Sequence, residues 1–314
     1  MDALLLLRNI RVENANAIAG MTWGFPSLSG FLGFSHALHR KVQGVMENAP
    51  EFEGCAVICH EHHIHTHKAT PLSDSVFSLT RNPLTKKGNT ASFNEEGRMH
   101  LTVTLMIGVN DLPDLNDDEL EHLQQRLFTL ASQQRLAGGT IVSLAKAEII
   151  ENVSQYSDRC KLKRLMRSLL PGFALVSRDD VLQQHQQETG QDALDAWLDF
   201  SELTYRAVPD GREKEKAKWS LQRPPFSGWL KPITIGYRSI SDLFVPGTVT
   251  KCRDYKTPVR FVESIYSLGQ WLSPHRITEL THLFWYHHYQ PESGLYLCKN
   301  NYQAPQNEHS TIDE

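Results

Sequence analysis

Eight consecutive residues, His60-Glu61-His62-His63-Ile64-His65-Thr66-His67, hold five of the chain's fifteen histidines and carry its densest metal-ligand chemistry. The run nearly spells H-E-x-x-H, the helical zinc pattern, but Ile64 stands where the second ligand belongs. On a strand, His63, His65 and His67 share one face and could grip zinc or nickel. Zinc sites draw on well-separated ligand pairs and a supporting shell, and no cysteine pair assists here. The run therefore reads as the polar end of a strand facing water, and no metal or other cofactor is expected.

His36 and His39 offer a second chemistry. A histidine can act as general acid or base on a ribose 2′-hydroxyl, with Arg40 or Lys41 stabilising the developing charge. Such a site also needs a partner base, and none is evident near these neighbours on one helix. Helix-surface histidines are the plainer reading, with a metal-independent endoribonuclease using His36 or His39 as the alternative. No Walker loop, dinucleotide fingerprint or hydrolase elbow is present.

Polyanion binding has the broader support. The net charge of −4 argues against a generic nucleic-acid binder, yet Tyr205 to Arg260 carries twelve Lys or Arg against five Asp or Glu. Within it, Trp219, Arg223, Trp229, Lys231, Tyr237, Arg238, Lys251, Arg253, Lys256 and Arg260 interleave cations with aromatics. That pattern suits an RNA backbone with stacked bases. The plain alternative is a charged surface whose tryptophans anchor loops. A second basic stretch, from Leu79 to Arg98, holds Arg81, Asn82, Lys86, Lys87 and Arg98 among turn residues, with little to build a core. Near the start, Trp23 reads equally as a stacking platform and as packing, whereas Phe25 reads as packing.

These residues need elements to hold them. Leu4 to Leu7, with Ile10 and Val12, form an apolar run suited to a strand buried on both faces. Asn14 to Ala17 reads as a loop. Phe25-Pro26-Ser27 signals a helix start with Ser27 as cap. Leu28, Phe31, Leu32, Ser35, Leu38, Val42 and Val45 then recur at helical spacing. Gly54 to Ile58 reads as a strand continuing through the histidines, and alternation from Arg98 to Ile107 marks a half-buried strand. Asn116 and Glu119 form a capping-box start for a helix striped by Leu120, Leu123, Leu127 and Leu130. Thr140 to Ile150 reads as a fourth strand.

The order strand, helix, strand, strand, helix, strand over residues 1–150 is that of a ferredoxin-like split βαβ unit in an α+β protein. Its helices cover one sheet face and leave the other for RNA or another domain. The long basic connection at about 80–98 is an inserted arm. Residues 151–300 form a mixed α/β region. It opens with a helix whose apolar face is Leu162, Leu165, Met166, Leu169 and Leu170, and a Gln-rich helical stretch runs from Asp179 to Leu203. Short strands follow from Trp219 to Val249, with helices expected over Val259–Leu272 and Arg276–Tyr289. Residues 301–314 read as a polar tail. Five cysteines without a C-x-x-C pair suit reduced thiols in a cytoplasm, and no run reaches membrane-spanning length.

The segments NANAIAGMTWGFPSLSGFLGFSHALHRKV and LTRNPLTKKGNTASFNEEGRMHLTV carry a resemblance. They resemble the second-subunit family of the type I-F CRISPR Csy surveillance complex, in the Cas-five group of RAMP proteins. The resemblance is specific at Leu4–Val45 and Leu79–Val109 and rests on general layout beyond residue 150. It implies an RRM-like fold with a protruding thumb, and binding of the 5′ handle of the guide RNA (crRNA). It also implies a heterodimer with the complex's large subunit, contacts with its backbone subunits, and target DNA met through the assembled complex. It implies no catalysis. Within that group the competing expectation is a metal-independent endoribonuclease acting on CRISPR repeats.

Overall fold

The computed structural model describes residues 1–71, 73–81, 83–202, 204–209, 217–221, 226, 228–252 and 254–304. The first half comprises β1 (Ala3–Asn16), α1 (Leu28–Gln43), β2 (Glu51–Ile64), β3 (Arg98–Asn110), α2 (Asp117–Ser132), β4 (Gly139–Ser143) and β5 (Lys146–Ile150). β4 and β5 both pair with β1, and β3 lies between β1 and β2, all antiparallel. The expected single strand over Thr140–Ile150 is broken at Leu144–Ala145, where the Ala145 N–H turns to donate to the Arg8 carbonyl.

Both faces of this sheet are buried, which explains the unbroken leucine run of β1. Leu5 and Leu7 pack with Phe31 and Leu38 of α1 and with Leu123 and Leu127 of α2. Leu4 and Leu6 point the other way, onto Leu162, Leu165 and Met166 of α3 (Arg159–Arg167). The second face, expected to be left for RNA or another domain, is covered over its centre by α3 of the C-terminal region. β1 also runs further than its apolar core suggests. Bulges near Asn9 and Asn14, both at positive φ, carry it to Asn16, through the segment expected as a loop.

The helix starts differ as well. At α2 the reciprocal capping box forms, Asn116 with Glu119. At α1 the Ser27 side chain makes no cap bond and meets the Ser29 hydroxyl at 2.9 Å instead. Its partner Ser29 reaches Tyr237, 3.4 Å away, so this corner serves packing between chain halves.

The second half contributes β6 (Phe173–Ser177), α4 (Asp179–Thr189), α5 (Ala193–Leu198), β7 (Tyr205–Pro209), β8 (Ala217–Leu221), β9 (Leu230–Ser239), β10 (Val262–Leu272), β11 (Trp285–Gln290) and β12 (Leu295–Asn300). Two stretches expected as helices are not. Val259–Leu272 is largely strand β10, and Arg276–Tyr289 holds a short 3₁₀ turn at Leu280–Leu283 followed by β11. β10 lies between β6 and β9, and Gly269 is flanked closely by Leu175 and Ile233. Ser267 and Gln270 are buried on this strand beside Leu268, so polar and apolar residues do not sort by face and its period is unreadable from sequence.

The sheet runs on from β2 through β6, β10, β9, β12 and β11, and returns to β2 through the pair Trp285↔Cys55. Six strands thereby close a ring that shares β2 with the first half. Gly54 makes the closure possible. It adopts φ +68° at the bulge before Cys55, and an added Cβ would sit 2.7 Å from the Tyr286 ring. Trp285 is 1% exposed and donates its indole N–H to the Leu175 carbonyl at 2.8 Å. No helix among the described residues is long and apolar enough to cross a membrane.

Trp285→Ala is expected to lower stability by about 3–5 kcal/mol, through the cavity and the unpaired carbonyl. Trp285→Phe should lose less, and denaturant titration of both variants separates packing from the hydrogen bond.

Candidate nucleic-acid interface

Between β2 and β3 the chain leaves the sheet as an arm. Thr66–His67 pairs with Val76–Phe77, and Leu79–Arg81 pairs with Phe93–Glu95. With so few apolar residues, these ladders bury little. The Arg81 guanidinium stands 3.9 Å from the Phe93 ring centre, a cation–π contact that braces the outer ladder. Beyond it, the Gly88 N–H donates to the Thr85 carbonyl, which places Lys86 and Lys87 at the two central positions of an exposed turn. Arg98, at the base, is already engaged. It pairs with Glu96 at 2.8 Å and donates to Asn16 at 2.6 Å, fastening the arm's return to β1.

The loop after β1 lies beside this base. Ile18–Ala19 pairs with Thr22–Trp23, and the Ala19 carbonyl accepts hydroxyl bonds from Thr22 and from Thr234 of β9. The Met21 N–H donates to the Tyr266 hydroxyl of β10. The loop is thus tied to the second half, while the Trp23 ring meets Phe77 of the arm edge-on at 6.0 Å.

A cleft of about 590 Å³ opens at this junction. One wall is the loop with Trp23 and Phe25. The other carries Phe173, Trp229, Lys231 and Trp271. Trp23 is 64% exposed, Trp229 46% and Phe173 42%, so three ring faces are open to a guest. Phe25 stacks on Phe31 at 5.5 Å and meets Trp271 at 4.8 Å, which makes it packing, as expected.

Trp23 and Lys231, some two hundred residues apart in sequence, line the same cleft. The other expected residues lie elsewhere. Trp219 is exposed on the separate β7–β8 ribbon. Arg238 ends β9, Lys251 is exposed in the following loop, and Arg260 packs near Gly294 with its Nε buried and unpaired. Asn82, Arg223 and Arg253 fall outside the described residues. Phe173 and Trp271, which complete the cleft, carry no local signal in the sequence. Each sits in a short apolar run like any core strand.

The histidines separate into three settings. His60 occupies a bulge of β2 and is locked. The Pro171 carbonyl can only accept, so His60 Nδ1–H donates to it and Nε2 of the neutral ring accepts from the Thr104 hydroxyl, whose oxygen also accepts from the Asn9 N–H. His65 packs against His100 at 4.2 Å and His63 at 5.9 Å. Burial, then these two neighbours, lowers its pKa. Among the described residues no three His, Cys, Asp or Glu side chains converge as metal ligands.

His39 lies beside Phe52 with its Nε2 buried and unpartnered, and burial lowers its pKa. Exposed His36 faces His287 at 6.3 Å. His287 is itself held by the Tyr296 hydroxyl and the Leu32 backbone, and burial lowers its pKa too.

Three histidines with depressed folded pKa values favour neutral imidazoles in the native state. Their contribution is present above the unfolded value of 6.5 and is lost as pH falls below it. The melting temperature is therefore expected to drop between about pH 7.5 and about pH 5.5, with a smaller drop in His65→Gln. Equal melting temperatures at both pH values would contradict this.

Comparison with known proteins identifies the family. Residues 5–298 match the family described as CRISPR-associated protein (Cas_Csy2). The chain is 42% identical over 313 residues to the CRISPR-associated protein Csy2 of Pseudomonas aeruginosa (strain UCBPP-PA14), covering 94% of each. With a near full-length match and that identity, the chain belongs to the Csy2 family of CRISPR-associated proteins.

Proposed function

We propose that this protein is a non-catalytic RNA-binding subunit of a type I-F CRISPR surveillance complex in the cytoplasm. It holds the 5′ handle of the crRNA together with the large subunit, contacts the backbone subunits, and meets target DNA through the assembled complex. The observation that carries this reading is the convergence of the arm and the aromatic cleft at one junction. An excursion that cannot bury itself needs a partner, and its exposed cations favour a polyanion. Two open tryptophans beside it suit unstacked bases.

The fold supports the same reading. β4 and β5 both pair with β1, followed by β3 and β2, with α1 and α2 packed on one face. We read this order as a ferredoxin-like RAMP domain and the arm between β2 and β3 as its thumb.

Lys86→Ala combined with Lys87→Ala, and separately Arg81→Ala, should weaken crRNA retention. Each lost phosphate contact should reduce the salt slope by about one unit. The melting temperature should stay near wild type, since none of these side chains is buried. Unchanged affinity and slope would remove the arm from the interface. Incubation with CRISPR repeat RNA in EDTA should leave the RNA intact. A single cut abolished by His36→Ala or His39→Ala would identify an enzyme instead.

A further inference from the structure

We infer that the cleft between the Trp23 loop and β9 is a receptor for one unstacked nucleobase, gripped by stacking and indifferent to base identity, with the adjoining phosphate at Lys231. This rests on the RNA-binding reading above and specifies what the cleft itself takes. At about 590 Å³ the cleft lies within the range that encloses a small organic group and is too small for a duplex. Its open surfaces are aromatic, from Trp23 on one wall and from Trp229 and Phe173 on the other. Phe173 and Trp229 meet edge-on at 5.3 Å, which sets the second wall as a braced platform. Lys231, two residues beyond Trp229, is exposed at the rim. Flat rings with one adjacent cation match a base and its phosphate, the pairing used where single strands are held.

Indifference to sequence follows from the grip itself, since stacking on a ring face accepts any base. Several polar groups of the cleft are already committed within the protein. The Thr22 and Thr234 hydroxyls are bonded to the Ala19 carbonyl, both His60 ring nitrogens are engaged, and the Trp229 carbonyl accepts from the backbone N–H of Trp271.

The test uses the full chain bound to crRNA in which 2-aminopurine replaces one 5′-segment base at a time. One position is expected to lose fluorescence on binding, and Trp229→Ala to restore it, with Trp229→Tyr intermediate. An abasic site there, or Trp229→Ala, should weaken binding roughly tenfold to a hundredfold, whereas exchanging the natural base should change it less than about twofold. Lys231→Ala should weaken binding and lower the salt slope while leaving the quench in place. Full-affinity RNA with no quenched position, or with a quench unaffected by Trp229→Ala, would overturn the receptor and leave the RNA-binding reading standing. A strong preference for one base at the quenched position would overturn the stacking mode. Failure of the wild-type chain to retain crRNA would overturn both readings.

Discussion

Strand β2 must satisfy two sheets at once, and the rest of the molecule is arranged around that demand. One edge pairs with β3 from Glu51 to Ile64, while the other meets β11 at Cys55 and β6 at Ile58 and Cys59. A straight strand could not present itself to three partners. Bulges at Gly54 and His60 bend it, and each is secured from outside, Gly54 under Tyr286 and His60 by its bonds to Thr104 and Pro171. Trp285 fills the closed ring and ties β11 to β6 through Leu175. Because β2 ends at Ile64, the same strand that joins the halves also launches the arm.

This arrangement explains why polar chemistry gathers at one corner. The apolar residues of β1, β2 and β3 are consumed by cores on both faces, so the sheet keeps little open surface along its centre. Side chains that cannot enter those cores are displaced to the ends of strands. At the β2 end, the histidines, the arm and the Trp23 loop meet the start of β9. The loop is held there by a buried hydrogen bond from Thr234 and an exposed one to Tyr266, which fix the cleft's two walls relative to each other. A site built on strands in this way is held more firmly than one carried by loops alone, while the arm beyond it has few buried contacts to restrain it.

Charge follows a different logic from the one its distribution along the chain suggests. The basic segment from Tyr205 to Arg260 looks like one surface in sequence. In space it divides: Lys231 faces the cleft, Trp219 stands on a separate ribbon, and Arg238, Lys251 and Arg260 lie toward the opposite end of β9. β9 spans ten residues, and a strand of that length carries its two ends about 30 Å apart. Proximity in sequence therefore did not make these cations neighbours.

Local physics alone determined much of the first half. The both-faces apolar run of β1, the amphipathic stripes of α1 and α2, the Asn116–Glu119 box and the unburiable arm all follow from the periods and side-chain chemistry of short segments. Only the tertiary structure decided that Val262–Leu272 is a strand, because buried Ser267 and Gln270 interrupt the alternation that distinguishes strand from helix, and pairing with β6 and β9 fixes the backbone. It also decided that Ser27 meets Ser29 instead of capping its helix, since Ser29 is in turn engaged by Tyr237 from the second half of the chain. The cleft belongs wholly to this second class. Trp23, Phe173, Trp229 and Trp271 each obey ordinary local rules, and only the closing of the ring through β2 and Trp285 sets them around one space.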